Sequence, residues 1–331
     1  MLKKNAALIV TVLIFAVILA GQTLSYYAVP YRYSACADVT AAYDGIDYSV
    51  STNSSVTYTI LAYDNARPAE KLYIYYDESY AVFGTTHRIQ EEYISQLTVE
   101  LRIRGYTDTE TVNAARLSEI VSSGYNAGDA ILITSGVLPA DVYDGDTNLA
   151  IFDWVSSGGS LYWAGYAIGA KYADGKDLAD VPSYQMNIFG EDDRILTEQM
   201  RSGERSDNEL SKALAISYTG VTYGMSITSG TLSLGFECEY NGKVYSSASL
   251  TGHGSGMICV MGLVDDPTRA AMAQVISSGV SPSSGLIGTD SGTMVRSSVS
   301  GTISWDGVRT DVAVQVRMGD PNTVYARTFF F

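Results

Sequence analysis

Histidine, cysteine and basic residues are scarce in this sequence. Two histidines, with no further histidine or cysteine at ligand spacing, argue against a zinc site. Three cysteines cannot form a disulfide framework, because an odd count leaves at least one thiol unpaired. The 21 basic residues are outnumbered by 36 acidic ones, and the net charge of -15 opposes binding to nucleic acid or to an anionic lipid surface. We therefore predict no nucleic-acid partner, no zinc and no disulfide scaffold.

What the sequence does contain is a large apolar fraction and many tyrosines. With 331 residues and 46% apolar content, the chain is long enough for one large or two ordinary domains with a real core. The 25 tyrosines against 8 phenylalanines supply rings that pack with one face and form hydrogen bonds at the tip. Such rings are common in wet β-sheets, and they also occur on surfaces that face a glycan or a protein partner.

A basic start and an apolar run open the sequence. Lys3 and Lys4 precede the uncharged run Ala6–Gly21, in which Thr11 is the one polar residue. This pattern is typical of an export element. We predict a hydrophobic helix within residues 1–25 that acts as a signal anchor and spans the membrane, with the rest of the chain outside the cytoplasm. Secretion after signal cleavage is the alternative.

The remaining chain divides into three segments. Residues 26–66 and 286–331 show the alternation and the turn signals of β-strands. Between them, residues 69–280 alternate strands with helices, apart from a looser insertion at residues 171–229. This order predicts an α/β fold with a doubly wound, mostly parallel sheet. We expect the N-terminal and C-terminal β segments to pair into one small all-β domain.

The cysteines are expected to remain apart. Cys238 and Cys259 lie in predicted strands that are separated by the strand Lys243–Leu250, which places them about 9–10 Å apart. Both are expected to be buried small hydrophobes. The pattern leaves the state of Cys36 open.

Four runs of sequence carry a resemblance to a known fold. They are the strands Leu72–Tyr76 and Asp129–Gly136, the helix end and strand Trp154–Gly165, and the late strand Gly256–Gly262. In this arrangement the chain resembles the class I glutamine amidotransferase-like fold, over about residues 69–280 without the insertion. It is most similar to the non-catalytic type found in gliding-motility and intraflagellar-transport proteins. The resemblance implies a flavodoxin-like or amidotransferase-like α/β domain.

The resemblance also implies a lost active site. Catalytic members of the family place a cysteine between two glycines after the third strand, and a His-Pro-Glu-like element after the late strand. Here the elbow keeps Gly165 and Gly169 but holds Ala167 between them, and a methyl group cannot act as a nucleophile. The segment Gly262–Pro267 contains neither histidine nor glutamate. We therefore expect a pseudoenzyme without catalytic residues.

Four polar or aromatic residues are candidates for ligand binding. Asp77, Glu78 and Tyr80 follow the first strand of the α/β segment, at the end where doubly wound sheets bind ligands, and Tyr166 lies in the elbow. No glycine-rich loop opens a helix after that strand, so no nucleotide and no other cofactor is predicted. The alternative function is a carboxylate-dependent hydrolase of carbohydrate or peptide substrates that uses Asp77, Glu78 and Asp265.

One acidic loop begins like a calcium site. Asp144 and Asp146 have the spacing of a calcium loop, but Leu149 and Val155 occupy the places of its glycine and its bidentate glutamate. We favour a helix cap, formed by Asp146 or Thr147, and predict no metal site.

The expected function is binding rather than catalysis. Asn53 begins the triplet Asn53-Ser54-Ser55, a possible glycosylation site on an exported surface. Together these features predict a non-enzymatic extracytoplasmic surface protein. It would bind a surface protein or a glycan, or build an assembly, through its degenerate amidotransferase-like domain.

Overall fold

The computed structural model describes residues 34–331, except residues 125, 127, 197, 201–202, 217–222 and 321–322. The predicted hydrophobic helix of residues 1–25 lies outside the described residues. Within them, no helix is both long and apolar enough to cross a bilayer. The structure thus gives no support to the predicted transmembrane signal anchor, and that prediction is withdrawn.

Strands from the two ends of the chain pair with one another and form a β-sandwich. Alternating side chains of both sheets meet in a shared core that includes Ile46, Tyr48, Ile60 and Val314. The first sheet has the order β1 (Ala35–Ala42), β2 (Gly45–Thr52) and β19 (Ser298–Ser304). The second has the order β18 (Leu286–Val295), β3 (Ser55–Tyr63), β20 (Ala313–Asp320) and β21 (Thr323–Phe330).

The centre of the chain is a seven-stranded mixed sheet. Five neighbouring strands are parallel, and two antiparallel strands extend one side. Its order is β13 (Thr231–Ser233), β16 (Ala248–His253), β17 (Gly256–Met261), β8 (Ser160–Trp163), β6 (Asp129–Ile133), β4 (Lys71–Tyr75) and β5 (Thr109–Val112). The middle strands are buried on both faces, which explains their nearly continuous apolar sequences.

Helices cover both faces of this sheet. The helices α1 (His87–Ile103) and α6 (Asp266–Ser278) share one apolar core with the sheet, and α2 (Ala114–Ser122) and α3 (Ala150–Ser156) share the other. Asp265 caps α6 by accepting a hydrogen bond from the Thr268 N–H at 2.9 Å. A proline at the first turn suits this helix start because its missing N–H has no intrahelical partner there.

Two small sheets and two short helices complete the described chain. One sheet is β10 (Asp177–Asp180), β9 (Lys171–Asp174) and β7 (Leu138–Pro139). The other is β11 (Glu204–Arg205), β14 (Phe236–Tyr240), β15 (Lys243–Ser246) and β12 (Met225–Ser226). The short helices are α4 (Tyr184–Phe189) and α5 (Glu209–Ala213).

Buried hydrogen bonds join the sandwich to the central sheet. The Tyr63 hydroxyl of β3 donates to the Ser278 carbonyl at the end of α6. Gln274 of the same helix donates to Gln315 of β20 at 2.6 Å. These bonds satisfy polar groups that would otherwise be costly to bury.

The predicted fold class is wrong for the chain as a whole. Strand residues outnumber helical residues, and the described chain is organised in five sheets rather than around one doubly wound parallel sheet. The physical reason is that the insertion 171–229 and its surroundings form short strands in addition to the short helices α4 and α5, and these strands build two further sheets. The central sheet itself also continues into two antiparallel strands. The short strands of the insertion lack the extended run of alternating apolar residues by which strands are recognised in sequence.

Cys238 and Cys259 lie in two different sheets rather than two strands apart in one sheet. Cys36, Cys238 and Cys259 are all free thiols. Cys238 pairs with Tyr245 of β15, and Cys259 pairs with Leu250 of β16. The predicted strand Lys243–Leu250 is divided between β15 and β16, which belong to different sheets. Cys259 is buried, and desolvation raises the pKa of its thiol, whereas Cys238 is only half-buried.

Candidate binding site at the elbow

The elbow lies where the central strands end. Gly165 follows β8, and its N–H donates to the Gly262 carbonyl after β17 at 2.6 Å. Its φ of +144° lies in a region that favours glycine, and a Cβ there would come within 2.7 Å of the Cα of Gly136, the glycine after β6. Close approach of three chain segments therefore requires glycine at this point.

Ala167 is sealed inside the protein. Only 5% of its surface is exposed, and it belongs to the apolar core beneath α2 and α3. Gly169 completes the turn with a φ of +78°, and a Cβ there would lie 2.3 Å from Cδ1 of Ile188. A nucleophile at Ala167 would be covered by apolar side chains, so the elbow is a structural joint.

A loop folds over the elbow from the end of β4. The Phe83 N–H donates to the Ser135 carbonyl at 2.9 Å, which fixes the loop to the end of β6. The Ala81 N–H donates to the Gly175 carbonyl at 2.7 Å, which ties the loop to the hairpin of β9 and β10. The Lys176 ammonium of that hairpin also donates to the Glu78 carbonyl. Residues 77–86 are thus held on two sides.

This loop brings three rings together, which we call the aromatic cluster: Phe83, Tyr166 and Tyr223. The Phe83 and Tyr166 rings meet edge to face with centroids 4.6 Å apart, and the Tyr166 and Tyr223 rings do so at 4.7 Å. All three are half-buried. The Lys171 ammonium lies 4.9 Å from the centroid of the Phe83 ring, within cation–π range. Partial burial raises the pKa of the Tyr223 hydroxyl.

The candidate carboxylates serve the local structure. Asp77 accepts hydrogen bonds from the backbone N–H groups of Ser79 at 2.8 Å and of Ala114, the first residue of α2, at 3.1 Å. Glu78 accepts a bond from the Tyr76 hydroxyl at 3.0 Å. Asp265, the third carboxylate of the hydrolase alternative, caps α6. None of these three carboxylates has another as its hydrogen-bond partner.

Tyr80 lies in the same loop but points to another partner. Its hydroxyl donates to the carboxylate of Asp141, and this bond, with partial burial, raises the pKa of Tyr80 to about 12. Among the four candidate ligand residues, Tyr166 is therefore the one that the structure places in the aromatic cluster. Asp77, Glu78 and Tyr80 shape the loop that carries Phe83.

The acidic loop at Asp144 is a backbone cap. Oδ1 of Asp144 accepts from the N–H groups of Asp146, Thr147 and Asn148 at 2.8 to 2.9 Å. The Thr147 hydroxyl also donates to this carboxylate, and these bonds lower the pKa of Asp144 to about 2. The predicted cap at Asp146 or Thr147 is wrong, because α3 begins at Ala150 and the Asn148 side chain accepts from that N–H at 3.2 Å.

Metal-ligand geometry is not found within the described part of the chain. No three histidine, cysteine, aspartate or glutamate side chains lie close enough there to hold an ion. Asn53, the predicted glycosylation site, sits in the turn between β2 and β3, and its side-chain oxygen accepts from the Ser34 N–H at 2.9 Å. Its glycosylation stays a prediction.

Sequence reasoning missed two rings and the lysine of this site. Phe83 and Tyr223 are separated by 140 residues of chain, and neither lies in a recognisable motif. The usable signal was Gly84 beside Phe83, since a glycine marks a turn that can fold a loop back over the sheet.

Comparison with known proteins gives little guidance. No protein-family model matches the chain, and no curated protein matches it. Seventeen chains of solved structures match, among them the exo-β-1,4-mannosidase Op5Man5 from Opitutaceae bacterium strain TAV5, with 13% identity and a TM-score of 0.35. The match covers 62% of this chain and 32% of the mannosidase, so the chain spans about a third of that enzyme's length. A likeness this weak carries no argument, and the amidotransferase-like resemblance stays a prediction.

Proposed function

We propose that this protein is a non-enzymatic, extracytoplasmic binding protein whose aromatic cluster contacts a glycan or a protein on a surface. The observation that carries the proposal is the contrast at the end of the central sheet. The position expected for a nucleophile is a sealed methyl group, while three half-buried rings from distant segments gather directly beside it. Rings that are fixed before binding lose little conformational entropy when a ligand covers them.

The hydrolase alternative has weaker support. A glycosidase needs two carboxylates flanking one bond, about 5 to 10 Å apart across a cleft. Asp77 instead holds the start of α2, Asp265 caps α6, and Glu78 accepts from a neighbouring tyrosine. Replacing Asp77 or Asp265 would disturb a local backbone structure, which is the role we assign to these two carboxylates.

Location outside the cytoplasm is part of the same proposal. Its support is the basic start and the apolar run Ala6–Gly21, which have the composition of a secretory signal. Mass spectrometry of the mature protein from the producing cell tests it. An intact N-terminal methionine on a protein recovered from the cytoplasm would contradict this location.

Binding is tested with the full chain on a glycan array and on surface material of the producing cell. We expect a ligand whose affinity falls at least about tenfold in Tyr166→Ala and Tyr223→Ala, since buried aromatic contacts dominate binding energy. Tyr240→Ala is the matched control, because Tyr240 is 38% exposed and lies outside the cluster. Equal loss in all three variants, or turnover of a bound glycan or peptide, would refute the proposal.

A further inference from the structure

The strand β5 forms an open edge of the central sheet. The Leu72 N–H donates to the Asp108 carbonyl at 3.0 Å, and the Tyr76 N–H donates to the Val112 carbonyl at 2.9 Å. The backbone N–H and C=O groups of the even-numbered residues of this segment therefore point toward β4. Because parallel strands alternate, Thr109 and Thr111 direct their backbone groups away from the sheet. No described strand pairs with them on that side. An edge of this kind is a template for pairing with another chain.

A groove runs beside this edge, between β5 and α1. It has a volume of about 420 Å³. From α1 its walls include one stripe of side chains at helical spacing, and from β5 they include Thr111. The stripe consists of Glu91, Ser95, Thr98, Val99 and Arg102. Val99 is 53% exposed, which is high for an apolar side chain beside an open strand edge.

The charged residues of this stripe would match those of a second copy of the helix that runs in the opposite direction. Glu91 lies at one end and Arg102 at the other, eleven residues or about 16 Å apart along the helix. If a second α1 lies alongside in the opposite direction, Glu91 of each copy faces Arg102 of the other. The small and β-branched residues Ser95, Thr98 and Val99 then meet in the middle. Self-complementarity of this kind is what a two-fold interface requires.

We propose that β5 and α1 form a homodimer interface, in which two copies join their central sheets edge to edge about a two-fold axis. The strands pair antiparallel, and the two α1 helices lie side by side on the same face of the joined sheet. The proposal is independent of the aromatic cluster, which lies on other elements.

The register of the paired strands follows from two observations. The Thr109 N–H already donates to the Thr107 carbonyl at 3.1 Å, so it is not free for a partner strand. A pairing centred on Glu110 would place two carboxylates opposite each other, which is unfavourable. Pairing centred on Thr111 avoids both problems. Each Thr111 then exchanges both backbone hydrogen bonds with its symmetry mate.

Charge reversal tests the helix contacts. Sedimentation velocity of the full chain from about 1 to about 100 µM should show a monomer–dimer equilibrium, as expected for a micromolar dissociation constant. Glu91→Arg and Arg102→Glu should each raise that constant at least about tenfold, because each change puts like charges together twice. The double variant should restore it to within about threefold of the wild type. Arg88→Glu is the control, since Arg88 lies on the same helix outside the groove with 81% of its side chain exposed.

Cross-linking tests the strand register. In a Cys36→Ser background, Thr111→Cys should form a disulfide-linked dimer, because a hydrogen-bonded antiparallel pair has Cα atoms about 5.5 Å apart. Thr107→Cys, in the exposed turn before β5, should not. A monomer at every concentration, a dimer that ignores both single reversals, or a double variant that stays dissociated would overturn the proposal. So would capture of an extended segment of a different protein by this groove in a monomeric chain.

Discussion

Substituting alanine for Gly136 tests the packing that holds the aromatic cluster. Gly136 and Gly84 both have left-handed backbone, with φ of +70° and +73°. A Cβ on Gly136 would lie 2.2 Å from the carbonyl oxygen of Phe83, whereas a Cβ on Gly84 would meet nothing within 4 Å. The pair Gly136→Ala and Gly84→Ala therefore separates the cost of the backbone conformation from the cost of moving the loop.

The expected magnitudes follow from these contacts. Gly84→Ala should lower the free energy of unfolding by about 1 kcal/mol, the cost of a left-handed alanine. Gly136→Ala carries the same cost, and it also requires the Phe83 carbonyl to retreat by about 1 Å to reach ordinary contact distance. That movement breaks the bond from Phe83 to Ser135, worth about 1 kcal/mol, and separates the Phe83 and Tyr166 rings, worth about 1 kcal/mol. We expect a total loss of about 3 kcal/mol.

Urea unfolding followed by tryptophan fluorescence measures both variants. Trp163 is a local reporter, because its indole N–H donates to the Tyr166 carbonyl at 2.6 Å. The Gly136→Ala protein should also lose affinity for any ligand of the aromatic cluster, while Gly84→Ala should retain it. Equal losses of stability in the two variants would show that the loop does not rest on Gly136, and the account of the site would be wrong.

Three further predictions concern single side chains. Asp144→Ala should lower the free energy of unfolding by about 1 kcal/mol at pH 7, after allowance for solvent screening. Because folding lowers the carboxyl pKa of Asp144, the stability advantage of the wild type should be complete above about pH 4 and vanish as the pH falls toward 2. Urea titrations at several pH values measure this advantage, and a difference in stability that does not change with pH would contradict the prediction. Ala167→Cys should leave the folded protein without hydrolase activity. Its new thiol should react with iodoacetamide more slowly than Cys36, because Ala167 is 5% exposed and Cys36 is exposed. Rapid labelling of the new thiol would show that the elbow opens. Tyr63→Phe should lose about 1 kcal/mol by leaving the Ser278 carbonyl unpaired, and an unchanged unfolding midpoint would show that this bond does not stabilise the junction.

Local sequence pattern was sufficient for the elements whose signals are local. The buried strands β6, β8 and β17 have apolar runs bounded by glycine, and α6 has a capping aspartate with proline in its first turn. That Ala167 offers no nucleophile at the elbow was also readable, because it depends only on which residue occupies one position. Such features need no knowledge of what lies nearby in space.

Tertiary structure decided the rest. Short strands such as β11 and β12 have two residues each and gain stability only from partners elsewhere in the chain, so the predicted fold class failed there. The roles of Asp77 and Asp144 depend on which backbone N–H groups reach their oxygens. By itself the sequence determined that Ala167 cannot act as a nucleophile, since a methyl group has no such chemistry in any fold. Only the folded chain could place Phe83 and Tyr223 on either side of Tyr166, because contacts across 140 residues are set by packing and leave no local pattern.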